Sequence, residues 1–116
     1  MNSLNKIFFV AVAVLLAGCA SVNKELYSWG PYEPLTYAYF RGESPEKQIT
    51  ELEKHMNIAK SKGEKLPPGF YAHLGMLYSK LGKQEEMMQM FDAEKAAFPE
   101  SNIFITKLNN GFKVEK

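Results

Sequence analysis

Residues Pro68-Gly69-Phe70-Tyr71-Ala72-His73-Leu74-Gly75-Met76-Leu77-Tyr78-Ser79-Lys80-Leu81-Gly82 decide the fold of this chain, together with the stretch from Lys83 to Pro99 that follows them. Leu66-Pro67-Pro68-Gly69 interrupts whatever precedes it, because two prolines and a glycine cannot continue a helix or a central strand. From about Phe70 to Leu81 the large apolar residues Phe70, Leu74, Leu77, Tyr78 and Leu81 recur at spacings of three and four, which places them on one helical side. Gly82 is the stop signal. The next segment, Lys83 to Phe98, carries Met87, Phe91 and Phe98 with the small residues Ala93 and Ala97, and Pro99 marks its exit. The motif is therefore a helix, a short glycine turn and a second helix.

Upstream the pattern repeats in weaker form. Ser44 is a good N-cap and Pro45 a good first residue, and Ile49, Leu52, Met56 and Ala59 form one helical face closed by Lys60, Lys62 and Gly63. Before that, Pro34 opens a predicted short helix over Leu35 to Arg41, with Gly42 as its end. Downstream, Ser101 or Asn102 caps a segment bearing Ile103, Phe104, Ile105 and Leu108, which Asn109-Asn110-Gly111 is expected to stop. No alternating pattern competes, so the predicted fold class is all-α: about two helix pairs and a C-terminal capping helix.

The stretch from Pro68 resembles a tetratricopeptide repeat. Tyr71 stands at the usual Trp place, followed by Leu74, Gly75, Tyr78 and Gly82, with Phe91 and Pro99 completing the register. Mid-helix glycine costs about 1 kcal/mol against alanine, which points to a close helix contact at Gly75, with Tyr78 and Phe91 filling the space around it. The departures are Met87 and Glu94, where the repeat prefers alanine. Leu35 to Leu66 looks like a degenerate copy without the Leu-Gly pair. Two repeats are fewer than the three a free-standing solenoid needs, so the ends of the array require cover.

The N-terminus has a different character. Lys6 precedes the apolar run Ile7 to Ala17, about 11 residues, which is the length of a signal-peptide core and short of a membrane span. The run ends in Leu16-Ala17-Gly18-Cys19, which resembles the lipobox of bacterial lipoproteins, with cleavage between Gly18 and Cys19 and the Cys19 thiol as acceptor of the lipid. Cys19 is the only cysteine, so no internal disulfide is available. The expected organisation is a signal peptide over 1–18, a lipidated tether over 19–26 and a helical domain over 27–116; the mature chain is then 116 − 18 = 98 residues, enough for one small core. The membrane is the first expected partner, through palmitate-type acyl chains on Cys19. Ala20, rather than an aspartate, follows the cysteine, and in the sorting pattern of Gram-negative lipoproteins this implies the outer membrane, facing the periplasm.

From the end of the tether into the first predicted helix, between Tyr27 and Phe40, runs an aromatic segment containing Tyr27, Trp29, Tyr32, Tyr37, Tyr39 and Phe40. Tyr27-Ser28-Trp29-Gly30-Pro31-Tyr32 and Leu35-Thr36-Tyr37-Ala38-Tyr39-Phe40, followed by a repeat-like helix pair, resemble a family of small proteobacterial lipoproteins of unknown function, domain-of-unknown-function family 4810. The resemblance implies an envelope protein encoded beside a lipoprotein similar to the curli secretion channel, and it carries no activity. Two uses of the rings are open. They cover the exposed edge of the first helix pair, or Trp29, Tyr32, Tyr37 and Tyr39 bind a partner, since Tyr and Trp join a large apolar area to a polar tip.

Catalytic chemistry is poorly provided for. The two histidines are His55 and His73, Asp92 is the sole aspartate, and there is no glycine-rich phosphate loop. Glu51 and His55 form at most a surface pair without a third ligand. Glu85 and Glu86 suit the start of a helix, and Met87, Met88 and Met90 are read mainly as packing residues. A formal net charge of +1 gives no field for nucleic acid. The sequence therefore predicts no enzyme, no metal, no cofactor, no nucleic acid and no small-molecule substrate. It points to a non-catalytic adaptor or assembly factor for another envelope protein. The alternative is a lipoprotein that binds peptidoglycan or another glycan.

Overall fold

The structure, a computed structural model, describes residues 2–17 and 24–114. Gly18 and Cys19, the lipidation and cleavage positions of the sequence analysis, and residues 20–23 of the tether lie outside the described residues. Helix α1 spans Ser3–Ala17, which at 15 residues is shorter than a membrane span. No described helix is long and apolar enough to cross a membrane.

The described residues are all-α and contain no strand. Helices α2 (Tyr32–Phe40), α3 (Pro45–Ser61), α4 (Phe70–Lys80), α5 (Gln84–Ala97) and α6 (Asn102–Val114) follow, with a short 3₁₀ turn at Pro99–Ser101. Each packs on its neighbour in sequence, and the α4–α5 pair has the most extensive contact. Short connections make this layout unavoidable, because a chain that turns within a few residues must lay the next helix beside the last. Leu52, Phe70, Leu74, Leu77, Met87, Phe91 and Ile105 are fully buried and join α3, α4, α5 and α6 in one core.

Local signals explain most boundaries. Ser44 Oγ accepts the Lys47 N–H at 3.4 Å, capping α3. Gly42 and Gly82 have φ of +70°, and beside them the N–H groups of Glu43 and Lys83 reach back to the carbonyls of Ala38 and Tyr78, both at 3.0 Å. These are Schellman-type closures, which need the left-handed conformation that glycine adopts without strain. Buried Gln48 ties the turn before α3 by donating from Nε2 to the Glu43 carbonyl at 2.9 Å.

Two boundaries differ from expectation. Helix α2 begins at Tyr32, three residues before the predicted start, so Pro34 sits inside the first turn instead of opening it. The first N–H groups of a helix have no intrahelical partner, so a proline there removes nothing. Helix α6 does not stop at Asn109-Asn110-Gly111 but continues to Val114. Its inner face, Ile105, Leu108 and Phe112, packs on the core, and the Phe112 ring stacks on Phe91 with centroids 6.2 Å apart and planes at 25°. Burying an aromatic ring contributes about 1.5 to 3 kcal/mol when complete, enough to offset about 1 kcal/mol for glycine within a helix.

Candidate interaction site

The aromatic segment is clamped to the helical body by hydrogen bonds that its own rings cannot make. Ser28 N–H donates to the Lys65 carbonyl at 2.7 Å, and His55 Nε2 lies 2.9 Å from the Ser28 carbonyl and 3.2 Å from Ser28 Oγ. Gly30 then passes over the His55 ring with φ of +47°, and a Cβ there would lie 2.3 Å from two ring atoms. The histidine of the proposed Glu51–His55 pair is thus occupied by the incoming backbone, while Glu51 is exposed. Among the described residues no cluster of three His, Cys, Asp or Glu is placed to hold a metal.

From this clamp the rings run along the edge of the core. Tyr27 meets Phe98 edge-on at 6.0 Å and Trp29 at 6.5 Å, and Trp29 lies 6.1 Å from Tyr32. Tyr32 packs against Phe70 at 5.6 Å and His73 at 5.8 Å, with its hydroxyl over Gly69, where a Cβ would stand 2.8 Å away. Tyr39 meets His73 at 5.2 Å, and Lys80 Nζ lies 3.8 Å from the centre of its ring. Burial raises the Tyr32 and Tyr39 hydroxyls above their ordinary pKa, and the Glu94 charge adds to the shift at Tyr32.

The four residues read as partner-binding therefore divide. Tyr32 and Tyr39 are half-buried and pack against the core, which fits the edge-covering use of the rings for these two. Trp29 remains 45% exposed and Tyr37 65% exposed. Phe40, which the sequence analysis did not single out as a contact, is 79% exposed. Tyr37 and Phe40 are three apart on α2, so both fall on its outer side. The signal that could have separated them was present: Leu35, Ala38 and Tyr39 take the inner face of a 3.6-residue period, which leaves 37 and 40 outside.

The repeat-type residues lie within and around the α4–α5 contact. Leu74 and Phe91 are fully buried, and Tyr71 is half-buried edge-on to Phe70 at 6.0 Å. A Cβ on Gly75 would stand 2.6 Å from Phe91 Cε1 and 3.2 Å from the Met87 carbonyl oxygen. Tyr78 donates its hydroxyl proton to Glu53, and burial, the hydrogen bond and that carboxylate's charge raise its pKa well above the ordinary value. Pro99 opens the 3₁₀ turn.

Glu94 was legible only as a departure from the repeat. It is fully buried, and its carboxylate accepts from Gly69 N–H at 2.8 Å and Ala72 N–H at 3.4 Å, with Ser101 Oγ at 3.5 Å. Gly69 has no side chain with which to cap α4, so the acceptor is supplied from α5.

The architecture is that of a short repeat-like helical module with a clamped aromatic edge. Residues 26–108 match the profile of Domain of unknown function (DUF4810), and the chain belongs to that family. No curated protein and no solved structure gave a match.

Proposed function

We propose that this protein is a lipid-anchored, non-catalytic adaptor of the bacterial envelope, held at the outer membrane through Cys19, whose helical module binds another envelope protein. The observation that carries the proposal is the exposure of Tyr37 and Phe40 on the outer side of α2, at one end of the array. Large aromatic side chains left in water at an unpaired helix face favour association, since they bring apolar area with little side-chain entropy to lose. The first candidate partner is the secretion-channel-like lipoprotein that the family resemblance suggests.

Co-purification from detergent-solubilised outer membranes tests the adaptor, with that lipoprotein as bait and Tyr37→Ala and Phe40→Ala as variants. The expected result is lost co-purification with an unchanged melting temperature. Wild-type retention by both variants would move the partner surface elsewhere. The anchor has its own test: Cys19→Ala should fail to incorporate a palmitate analogue, and a labelled variant would refute it. Sedimentation with purified sacculi addresses the glycan alternative.

A further inference from the structure

Leu26, the last residue of the tether, and Trp29 just beyond it are 72% and 45% exposed. Residues 20–25 separate Cys19 from Leu26, so even a fully extended backbone, at about 3.5 Å per residue, keeps Leu26 within about 25 Å of the lipid-bearing residue. Trp29 is fixed to the helical body by the Ser28–His55 clamp, and it therefore brings the module with it when it meets a surface. Its exposed side opens on a recess of about 540 Å³ lined by Glu25, Trp29 and Glu33. Among the described residues neither carboxylate makes an ion pair.

We propose that this edge is the face the protein lays on its own membrane, with Leu26 and Trp29 seated in the headgroup layer and Glu25 and Glu33 facing the ammonium groups of zwitterionic lipids. The inference rests on the lipid-anchor reading of Cys19. A tether of this length holds the edge at high effective concentration over the leaflet, so weak contacts suffice to orient the module. Tryptophan suits the boundary because its ring is apolar and its indole N–H stays hydrated, and leucine adds apolar area beside it. The charges choose the lipid. Two carboxylates against an aromatic face attract an ammonium group and repel a surface of anionic headgroups. Lys24, next to Glu25 in the sequence, partly offsets them. Seating this edge leaves Tyr37 and Phe40, further along α2, for a protein partner.

Trp29 is the only tryptophan, so its fluorescence reports this edge alone. The experiment uses the full lipidated chain in vesicles of phosphatidylethanolamine and phosphatidylcholine whose acyl chains carry bromine near the headgroup. Flotation is measured on the same samples. The expected result is co-flotation, quenching of Trp29 by the bromines and protection from aqueous iodide. Leu26→Glu should reverse both optical effects without loss of flotation, and vesicles of phosphatidylglycerol at low salt should weaken them. Co-flotation with Trp29 open to iodide and untouched by bromine would overturn the docking while leaving the anchor intact. Failure to float would refute the anchor, and the docking with it. A Trp29 response to sacculi but not to vesicles would reassign the recess to glycan and equally overturn the proposal.

Discussion

The carboxylate of Glu94 accepts the backbone N–H of Gly69 at 2.8 Å, so a buried acid on α5 caps the helix that precedes it. Replacing it with the alanine that the repeat pattern prefers leaves the Gly69 and Ala72 N–H groups bare in the interior and opens a void. Glu94→Ala is expected to lose about 2 to 3 kcal/mol, a fall in melting temperature of roughly 10 °C or more for a domain of this size. Glu94→Gln keeps an acceptor and gives up the charge at the helix N-terminus, for about 1 kcal/mol. Thermal melts of the purified protein check both, and an alanine variant at least as stable as wild type would refute the capping role.

Gly75 faces Phe91 so closely that any side chain must displace the ring or the Met87 backbone. Gly75→Ala gains up to about 1 kcal/mol in helix propensity, yet overpacking in a closed contact costs about 1 to 3 kcal/mol. The expected net effect is destabilisation, larger still for Gly75→Leu. Urea midpoints decide it: an alanine variant with a raised midpoint would mean that the two helices are not held at this distance.

Apolar periodicity made the paired helices legible, because Leu52, Phe70, Leu74, Leu77, Met87 and Phe91 are spaced for a helical face and all are buried. It failed where tertiary contacts override local chemistry. Asn109-Asn110-Gly111 is a sound stop signal taken alone, and only the stack of Phe112 on Phe91 explains why α6 runs through it. Glu94 broke a pattern without saying what the acid met. In the aromatic segment the residue types were visible, but the division between Tyr32 and Tyr39 inside and Tyr37 and Phe40 outside depends on where α2 begins and on the His55 clamp.

That clamp predicts a local response. Gly30→Ala places a methyl group against the His55 ring in a backbone conformation that L side chains rarely adopt. The Ser28–His55 hydrogen bonds should break and the segment around Trp29 detach, while the core of α3 to α6 persists. Amide exchange should speed up at Ser28, whose N–H is bonded to Lys65, and Trp29 emission should move to longer wavelength. Unchanged protection at Ser28 would show that the glycine is dispensable.

His73 gives the fold a pH dependence whose sign follows from its surroundings. The ring is buried against Tyr32 and Tyr39, and Nε2 has no hydrogen-bond partner among the described residues. Burial, and then the nearby Lys80 charge, hold its pKa down at about 4 from the ordinary 6.5. The unfolded chain accepts this proton near the ordinary value and the folded chain resists it. The stabilising contribution is therefore complete above pH 6.5, is lost progressively as pH falls, and declines no further once pH drops below about 4. His73→Phe keeps a ring of similar shape, removes the unpaired nitrogen and cannot titrate. Melts at about pH 7.5 and about pH 5 should show a clear loss for wild type and a smaller one for the variant, since carboxylates titrate mainly below this window. Equal losses in the two proteins would place the pH sensitivity elsewhere in the chain.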